Sequence, residues 1–223
     1  MKCENRRVYT PEAFREEDPQ TIRNILARYP LATLVTLGGD GLMATHLPMI
    51  YEPDPGPGGV LRGHMARANP QWQAGSEQPA LAIFRGPDHY VSPAWYPSKQ
   101  EHGRVVPTWN YVAVHAHGAV HYPEHPSWLL RNVQALTEVH EGVYGTGWKV
   151  ADAPADFVDQ MLKAIVGVEL IVHRLVAKVK ASQNRPRKDR ERVAAVLDHL
   201  ESSHAHEMAE LIRRKIHGGR SSR

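Results

Sequence analysis

The sequence is poor in cysteine and has no long hydrophobic run. Its 223 residues include one cysteine, Cys3, so the chain cannot form an internal disulfide, which is typical of proteins kept in a reducing cytoplasm. A membrane helix needs about 18 or more consecutive apolar residues, and no such run is present. The first residues, MKCENRRVYTPEAF, have no apolar segment after their charges. We therefore predict a cytoplasmic protein without a signal peptide or a membrane partner.

The motifs of several common protein classes are also missing. No glycine-rich βαβ unit is present, so the sequence does not favour a Rossmann domain, and GGDG at residues 38–41 indicates a turn. Neither HExxH nor a paired cysteine motif occurs. His115, His117 and His121 share one face of a predicted strand, but alternate positions on a strand are about 7 Å apart. We therefore predict no native metal site.

Basic residues are in slight excess. The formal net charge is +3 and the sequence pI is about 9.0, while hydrophobic residues make up 42%, enough for a substantial core. Much of the excess lies late in the chain, in RPRKDRERV and IRRKIHGGRSSR. This balance permits an anionic ligand or a nucleic acid without requiring either.

Alternating apolar residues and turn signals predict six strands. A Gly-Asp-Gly turn joins the first two, which are LATLVTLG and GLMATHLPMIYEP. The other four are VLRGHMA, ALAIFRGPDHYV, TWNYVAVHAHGAVHYP and GVELIVHRLVAKVKASQN. Helical spacing predicts a helix that starts near Asp18 and ends before Pro30, two helices from Pro126 onward, and one or two at the C-terminus. Hairpin-connected strands with scattered helices indicate an α+β protein built on an antiparallel β-barrel.

Four polar strings lie at predicted strand ends. Pro48 cannot donate to a ladder, so strand pairing should weaken after Thr45 and His46. Gly63 permits a close approach to the third strand, and an arginine such as Arg67 beside free backbone amides suits a phosphate. The long loop before Thr108 carries aromatic residues with polar neighbours. The last string contains Lys178, Lys180, Gln183 and Asn184 at the exit of the sixth strand.

Five stretches together resemble the PaiB family of FMN-binding negative transcriptional regulators. They are THLPM, GHMARANPQW, YVSPAWYPSK, VPTWNYVAVHAHG and KASQNRPRKDR, and they occur in the family's order over most of the chain. The resemblance implies an antiparallel split β-barrel with peripheral helices and a helical C-terminus, related in fold to pyridoxamine phosphate oxidase. It also implies a homodimer with the flavin between subunits. We expect residues 1–184 to form the FMN-binding domain and residues 185–223 the helical segment.

The resemblance also implies where FMN binds. Arg67 would hold the phosphate, with Asn69 nearby. Thr45, His46 and Leu47 would line the flavin ring or the ribityl chain. The strings near Trp109 and at the end of the sixth strand would close the site, from the same subunit or the other. The implied cofactor-binding residues are Thr45, His46, Leu47, Gly63, His64, Arg67, Asn69, Thr108, Trp109, Asn110, Lys178, Lys180, Gln183 and Asn184.

Three functions stay open at this point. A PaiB-like regulator implies DNA as a partner, although the sequence contains no clear helix-turn-helix or zinc finger. An FMN-dependent oxidoreductase using a nicotinamide donor is the alternative, since the flavin itself carries hydride chemistry, and no catalytic residue is assigned. A haem- or metal-binding barrel is suggested by the fourteen histidines, but it requires a convergent set that their spacing does not supply.

Overall fold

Eight strands and six α-helices make up the computed structural model of the protein, which describes residues 9–53 and 58–217. Cys3 lies outside the described residues. The chain divides into two compact units. Unit 1 contains Met1–Ile22, Arg85–Ala113 and Val176–Arg223, and unit 2 contains Arg23–Phe84 and Val114–Leu175. The predicted division at residue 184 into a barrel domain and a helical segment stays a prediction.

The strands form an antiparallel sheet whose order is β3-β2-β6-β7-β8-β5-β4. Short β1 pairs with the end of β8 in unit 1, where Arg15 lies opposite Lys178. The strands are β1 (Arg15–Glu16), β2 (Leu31–Gly38), β3 (Gly41–Pro48), β4 (Ile50–Glu52), β5 (Val60–Ala66), β6 (Gln78–Val91), β7 (Thr108–His121) and β8 (Ile165–Lys180). The six predicted strands are present. The sequence analysis missed β1 and did not separate β4 from β3.

The helices begin and end close to their sequence signals. Asp18 accepts a hydrogen bond from the amide of Thr21 (2.7 Å) and so caps α1, as predicted. The C-terminal region forms two helices with a break at residues 198–202. The α-helices are α1 (Pro19–Arg28), α2 (Ser98–His102), α3 (Pro126–Tyr144), α4 (Ala155–Lys163), α5 (Arg187–Leu197) and α6 (Ser203–His217). Short 3-10 helices lie at Glu12–Phe14, Pro70–Ala74, Pro93–Trp95 and Val150–Asp152.

Each unit has its own buried apolar side chains. In unit 2 the core lies on the inward face of the sheet, with Leu34, Phe84, Val114 and Val168 fully buried. In unit 1, α5 and α6 pack on the ends of the strands through Val193, Leu197, Ala205, Met208 and Ile212. These clusters hold the strand ends that carry the candidate site residues.

Two glycines of unit 2 allow close packing around β8. A Cβ atom added at Gly118 would lie 2.0 Å from the carbonyl oxygen of Ile171, and one at Gly167 would lie 2.3 Å from the Trp128 ring. Since real Cβ atoms essentially never approach this closely, both positions require glycine. The Trp128 ring lies against the bare backbone of Gly167, which seats the first turn of α3 on the sheet.

We predict that Gly118→Ala lowers the free energy of unfolding by about 1–3 kcal/mol, because the added methyl group must push the neighbouring strand backbone away. Chemical denaturation measures this change. Gly39→Ala is the matched control, since nothing lies within 4 Å of its Cβ position. Equal stability of the two variants would show that β7 and β8 are not packed this closely at Gly118.

Candidate functional site

Predicted site residues of unit 2 contact one another after the end of β5, where a 3-10 helix begins. The Asn69 side-chain amide donates to Thr45 Oγ1 (2.8 Å), and its oxygen caps the 3-10 helix by accepting from the amide of Gln71 (2.9 Å). Gln71 is fully buried and donates to Leu34 O and Thr36 Oγ1. The structure therefore brings Thr45 and Asn69 together and anchors them on β2.

The two residues that follow Thr45 on β3 point in opposite directions. His46 is exposed, and its Nδ1 lies 2.9 Å from Thr33 Oγ1 on β2. Leu47 is buried, and its Cδ1 would lie 3.1 Å from a Cβ at Gly63. The same Cβ would lie 2.6 Å from the carbonyl oxygen of Pro48. The close approach predicted at Gly63 is therefore made by the chain's own backbone.

His64 follows Gly63 on β5 and lies beneath α3. The Asn132 amide donates to Gly63 O (3.1 Å) and lies 3.5 Å from His64 Nδ1. Burial lowers the pKa of His64 below its usual value. A neutral His64 ring at neutral pH therefore provides a polar surface without adding a charge to this part of unit 2.

The guanidinium of Arg67 is already engaged within unit 2. It donates to the carbonyl oxygens of Lys163 and Ile165 (both 3.0 Å) and forms an ion pair with Glu124 at 2.6 Å. It also lies 5.7 Å from the centre of the Trp72 ring. The predicted phosphate contact of Arg67 stays a prediction, and a phosphate there would have to compete with the Glu124 carboxylate.

Predicted site residues of unit 1 lie close together at the start of β7 and the end of β8. Lys180 Nζ donates to Thr108 Oγ1 (2.5 Å) and lies 5.8 Å from the Phe14 ring. Lys178 Nζ lies 5.2 Å from the Tyr111 ring and 5.7 Å from the Tyr9 ring. The two ammonium groups thus lie among hydroxyl and aromatic groups on one face of β8.

Behind these lysines lies a buried polar pair. The Asn110 amide donates to Ser182 Oγ at 2.9 Å, and both residues are buried. Ser182 has a φ of 60°, a left-handed conformation uncommon for residues other than glycine. The Gln183 side chain bridges its own strand end by donating to Val179 O and accepting from the Ala181 amide (both 2.6 Å). Asn110 and Gln183 therefore shape the turn after β8.

Two further members of the predicted site lie at the surface of unit 1. Trp109 is 54% exposed and meets Tyr90 edge to face, with 6.0 Å between ring centres. Asn184 is also exposed. Trp109 therefore presents a large aromatic face close in sequence to the lysine-bound hydroxyl of Thr108.

The two lysines carry positive charge without an acidic partner in the described part of unit 1. Among the described residues, neither Lys178 nor Lys180 forms an ion pair with a carboxylate. Burial lowers the pKa of Lys180, and the neighbouring charge of Lys178 acts in the same direction. Cations beside a hydroxyl group suit a phosphate monoester. The chemistry of this part of unit 1 therefore fits the predicted cofactor phosphate.

Sequence reasoning missed the groups that support this end of unit 1. Asp189 is fully buried in α5 and accepts hydrogen bonds from the amide (3.0 Å) and hydroxyl (2.6 Å) of Ser98. The Arg185 guanidinium lies 4.7 Å from the centre of the Tyr96 ring. The run RPRKDR gives no local sign that its aspartate is buried, because the partner is 91 residues away.

Among residues 9–53 and 58–217, no group of three or more His, Cys, Asp or Glu side chains is arranged to hold a metal ion. Within the same ranges, no helix has the length and apolar character that crossing a membrane requires.

We predict that Arg67→Ala lowers the free energy of unfolding by about 1–2 kcal/mol, because two backbone carbonyl oxygens lose a charged donor. Urea denaturation measures this change. Arg131→Ala on α3 is the control, since Arg131 is exposed and such surface changes stay within about 0.5 kcal/mol. Unchanged stability with selectively weakened FMN binding would instead establish the phosphate role of Arg67.

Comparison with known proteins gives a family match and two long relatives. The family described as "Putative FMN-binding domain" matches residues 8–174. The Bacillus subtilis protein named protease synthase and sporulation protein PAI 2 is 31% identical over 217 residues, covering 94% of this chain and 98% of that protein. An uncharacterized protein of Emericella nidulans is 30% identical over 244 residues, with coverages of 93% and 97%. These matches extend over nearly the whole of both relatives.

Solved structures share the fold at low sequence identity. The flavocytochrome Anf3 of Azotobacter vinelandii superposes with a TM-score of 0.58 at 16% identity, covering 78% of this chain and 72% of that chain. The FAD and heme binding protein of Mycobacterium smegmatis gives a TM-score of 0.56 at 16% identity, with coverages of 81% and 79%. These likenesses confirm the predicted α+β architecture, an antiparallel split barrel with added helices.

Proposed function

We propose that this chain, which belongs to the PaiB family of FMN-binding domains and takes FMN as its cofactor, acts as a homodimeric negative regulator of transcription. The observation that carries the FMN part is the pair of lysines in unit 1. Lys178 and Lys180 have no acidic partner among the described residues, and Lys180 donates to Thr108. An FMN phosphate carries about −1.5 to −2 charges and supplies the missing counter-charge.

The flavin ring needs an apolar surface and hydrogen-bonding groups at its edge. In unit 1, the exposed face of Trp109 offers the first, and Thr108 and Asn184 offer the second. In unit 2, Thr45 and the exposed His46 offer similar groups. Each set is proposed, by itself, as a contact surface for FMN.

A homodimer is supported by apolar side chains on the outer face of β2 and β3 in unit 2. Leu31, Leu37 and Leu42 are 64%, 61% and 80% exposed. Leu37 and Leu42 lie opposite each other in the ladder, and Leu31 lies at the other end of β2. Large apolar side chains exposed on one sheet favour association. A second copy of the chain is the proposed partner for this face.

The regulatory role draws on the relative from Bacillus subtilis, whose printed name refers to protease synthesis and sporulation. The arginine-rich first half of α5 supplies a basic surface in unit 1, with Arg187 and Arg192 exposed. We propose that FMN occupancy changes the affinity of the dimer for DNA. Phosphate contacts by lysine and arginine would make that affinity fall as salt rises.

The phosphate assignment predicts that Lys180→Ala weakens FMN binding about ten- to a hundred-fold, because one charge-assisted contact is lost. Riboflavin, which lacks the phosphate, should bind the parent and the variant equally. Fluorescence titration of the flavin measures both affinities. The control is Lys149→Ala in an exposed loop of unit 2, which should leave FMN affinity unchanged. Equal loss of riboflavin and FMN would make Lys180 a structural residue.

The regulator assignment predicts salt-dependent binding of the FMN-loaded protein to DNA from upstream of its own coding region. Gel-shift titration at several salt concentrations measures the affinity, with an unrelated DNA of equal length as the control. Absence of binding at low salt would refute direct repression. Rapid anaerobic bleaching of the flavin by NADH or NADPH would then assign the alternative, an FMN-dependent oxidoreductase.

A further inference from the structure

Three cationic or titratable side chains that the proposed FMN contacts do not include lie on neighbouring strands of unit 2. His115 and His117 lie on β7, with 6.4 Å between their ring centres and 68° between their planes. Arg174 lies on β8, the neighbour of β7 in the antiparallel sheet. Because Gly118 of β7 lies against the carbonyl oxygen of Ile171 on β8, Arg174 lies beside His115, and its charge also acts on the His117 ring. Among the described residues, no group of three or more His, Cys, Asp or Glu side chains could hold a metal ion here.

Two side chains of this cluster have hydrogen-bonding groups without a partner among the described residues. His117 Nε2 is buried and has no hydrogen-bond partner in the described part of the chain. Arg174 is half-buried, and within residues 9–53 and 58–217 its guanidinium has neither a hydrogen bond nor an ion pair. Buried and half-buried donors of this kind are normally satisfied by a partner. The guanidinium fork matches the spacing of two oxygens on one ligand.

The geometry points to an oxyanion-binding site of the phosphate class formed by Arg174 and His117. Arg174 supplies two parallel N–H donors and a fixed positive charge, and the imidazole supplies a further N–H at Nε2. A tetrahedral oxyanion offers enough oxygens to accept from both groups. His115 borders the site and contributes to its positive potential.

The charges decide between an anion and a metal cation. Burial lowers the pKa of His117, and the positive charges of Arg174 and His115 lower it further. A metal ion would add to this repulsion, since no described carboxylate pairs with Arg174. A bound phosphate would have the opposite effect on the pKa of His117, because its negative charge would lie next to the guanidinium and stabilise the protonated ring. The charges at this site therefore favour an anion over a metal cation.

The test uses inorganic phosphate and the full-length protein, both free of FMN and saturated with it. Isothermal titration calorimetry measures the phosphate affinity, and the His117 ring resonances in a nitrogen-15 NMR spectrum report where it binds. We expect Arg174→Gln and His117→Gln to weaken phosphate binding about tenfold or more each. Arg131→Gln, which removes an exposed arginine from α3 in the same unit, is the matched control and should bind like the parent.

The outcomes separate the possible sources of the anion. Phosphate binding that persists in FMN-saturated protein and shifts the His117 resonances supports an independent site. Competition between FMN and phosphate, with riboflavin affinity unchanged in Arg174→Gln, supports the site and identifies the flavin phosphate as its occupant. Phosphate binding that is absent from the parent, or equal in parent and Arg174→Gln, overturns the proposal. Circular dichroism of each variant confirms that it is folded.

Discussion

The constraint on which unit 2 depends is the break between β3 and β4. Pro48 cannot donate to the ladder, and the Met49 amide instead donates to Pro30 O (2.9 Å). β3 pairs with β2 up to Pro48, and β4 then pairs with β5 from Ile50. β3 and β4 follow each other directly in the chain, yet they are the first and last strands of the sheet order. This is sterically possible because Gly63 leaves room for the Pro48 carbonyl oxygen.

The same break determines which polar side chains reach the surface of unit 2. Because β3 holds its register with β2, Thr33 lies opposite His46, and their side chains form a hydrogen bond. Thr45, one residue earlier, faces Asn69 instead. Leu47 enters the core next to Gly63. The alternation of the strand places His46 on the opposite face from Thr45 and Leu47. Contacts with other parts of the chain then separate the roles of Thr45 and Leu47.

Local signals predicted most of the fold. The strands followed from alternation, the first hairpin from its Gly-Asp-Gly turn, and the start of α1 from Asp18. Strand β1 was missed because two residues carry no periodic signal, and its pairing with β8 is set by contacts more than 160 residues apart. The FMN assignment came from the order of five motifs, since composition and spacing alone indicate only a barrel with polar strand ends.

The roles of individual site residues were harder to predict, because polar side chains satisfy backbone groups as readily as ligands. Asn69 caps a helix and Gln183 closes a strand end. Arg67 binds two carbonyl oxygens, and its ion-pair partner, Glu124, is 57 residues away. Nothing in the motif around Arg67 identifies these partners. A sequence shows which groups can bind a phosphate, but only the folded chain shows which of them remain available.

A cationic side chain remains available to a ligand when no carboxylate of the chain compensates its charge. Lys180 in unit 1 and His117 in unit 2 both have a lowered pKa, in each case mainly through burial. A neighbouring positive charge lowers both further, while Tyr111 acts in the opposite direction on the pKa of Lys180. A folded protein stabilises such groups most directly by placing a carboxylate beside them, as it does for Arg62 with Glu52 and Glu169. Neither Lys180 nor Arg174 has such a carboxylate among the described residues. An anion that binds the native state supplies the missing charge, and by linkage it stabilises the fold by an amount that grows with the logarithm of its affinity.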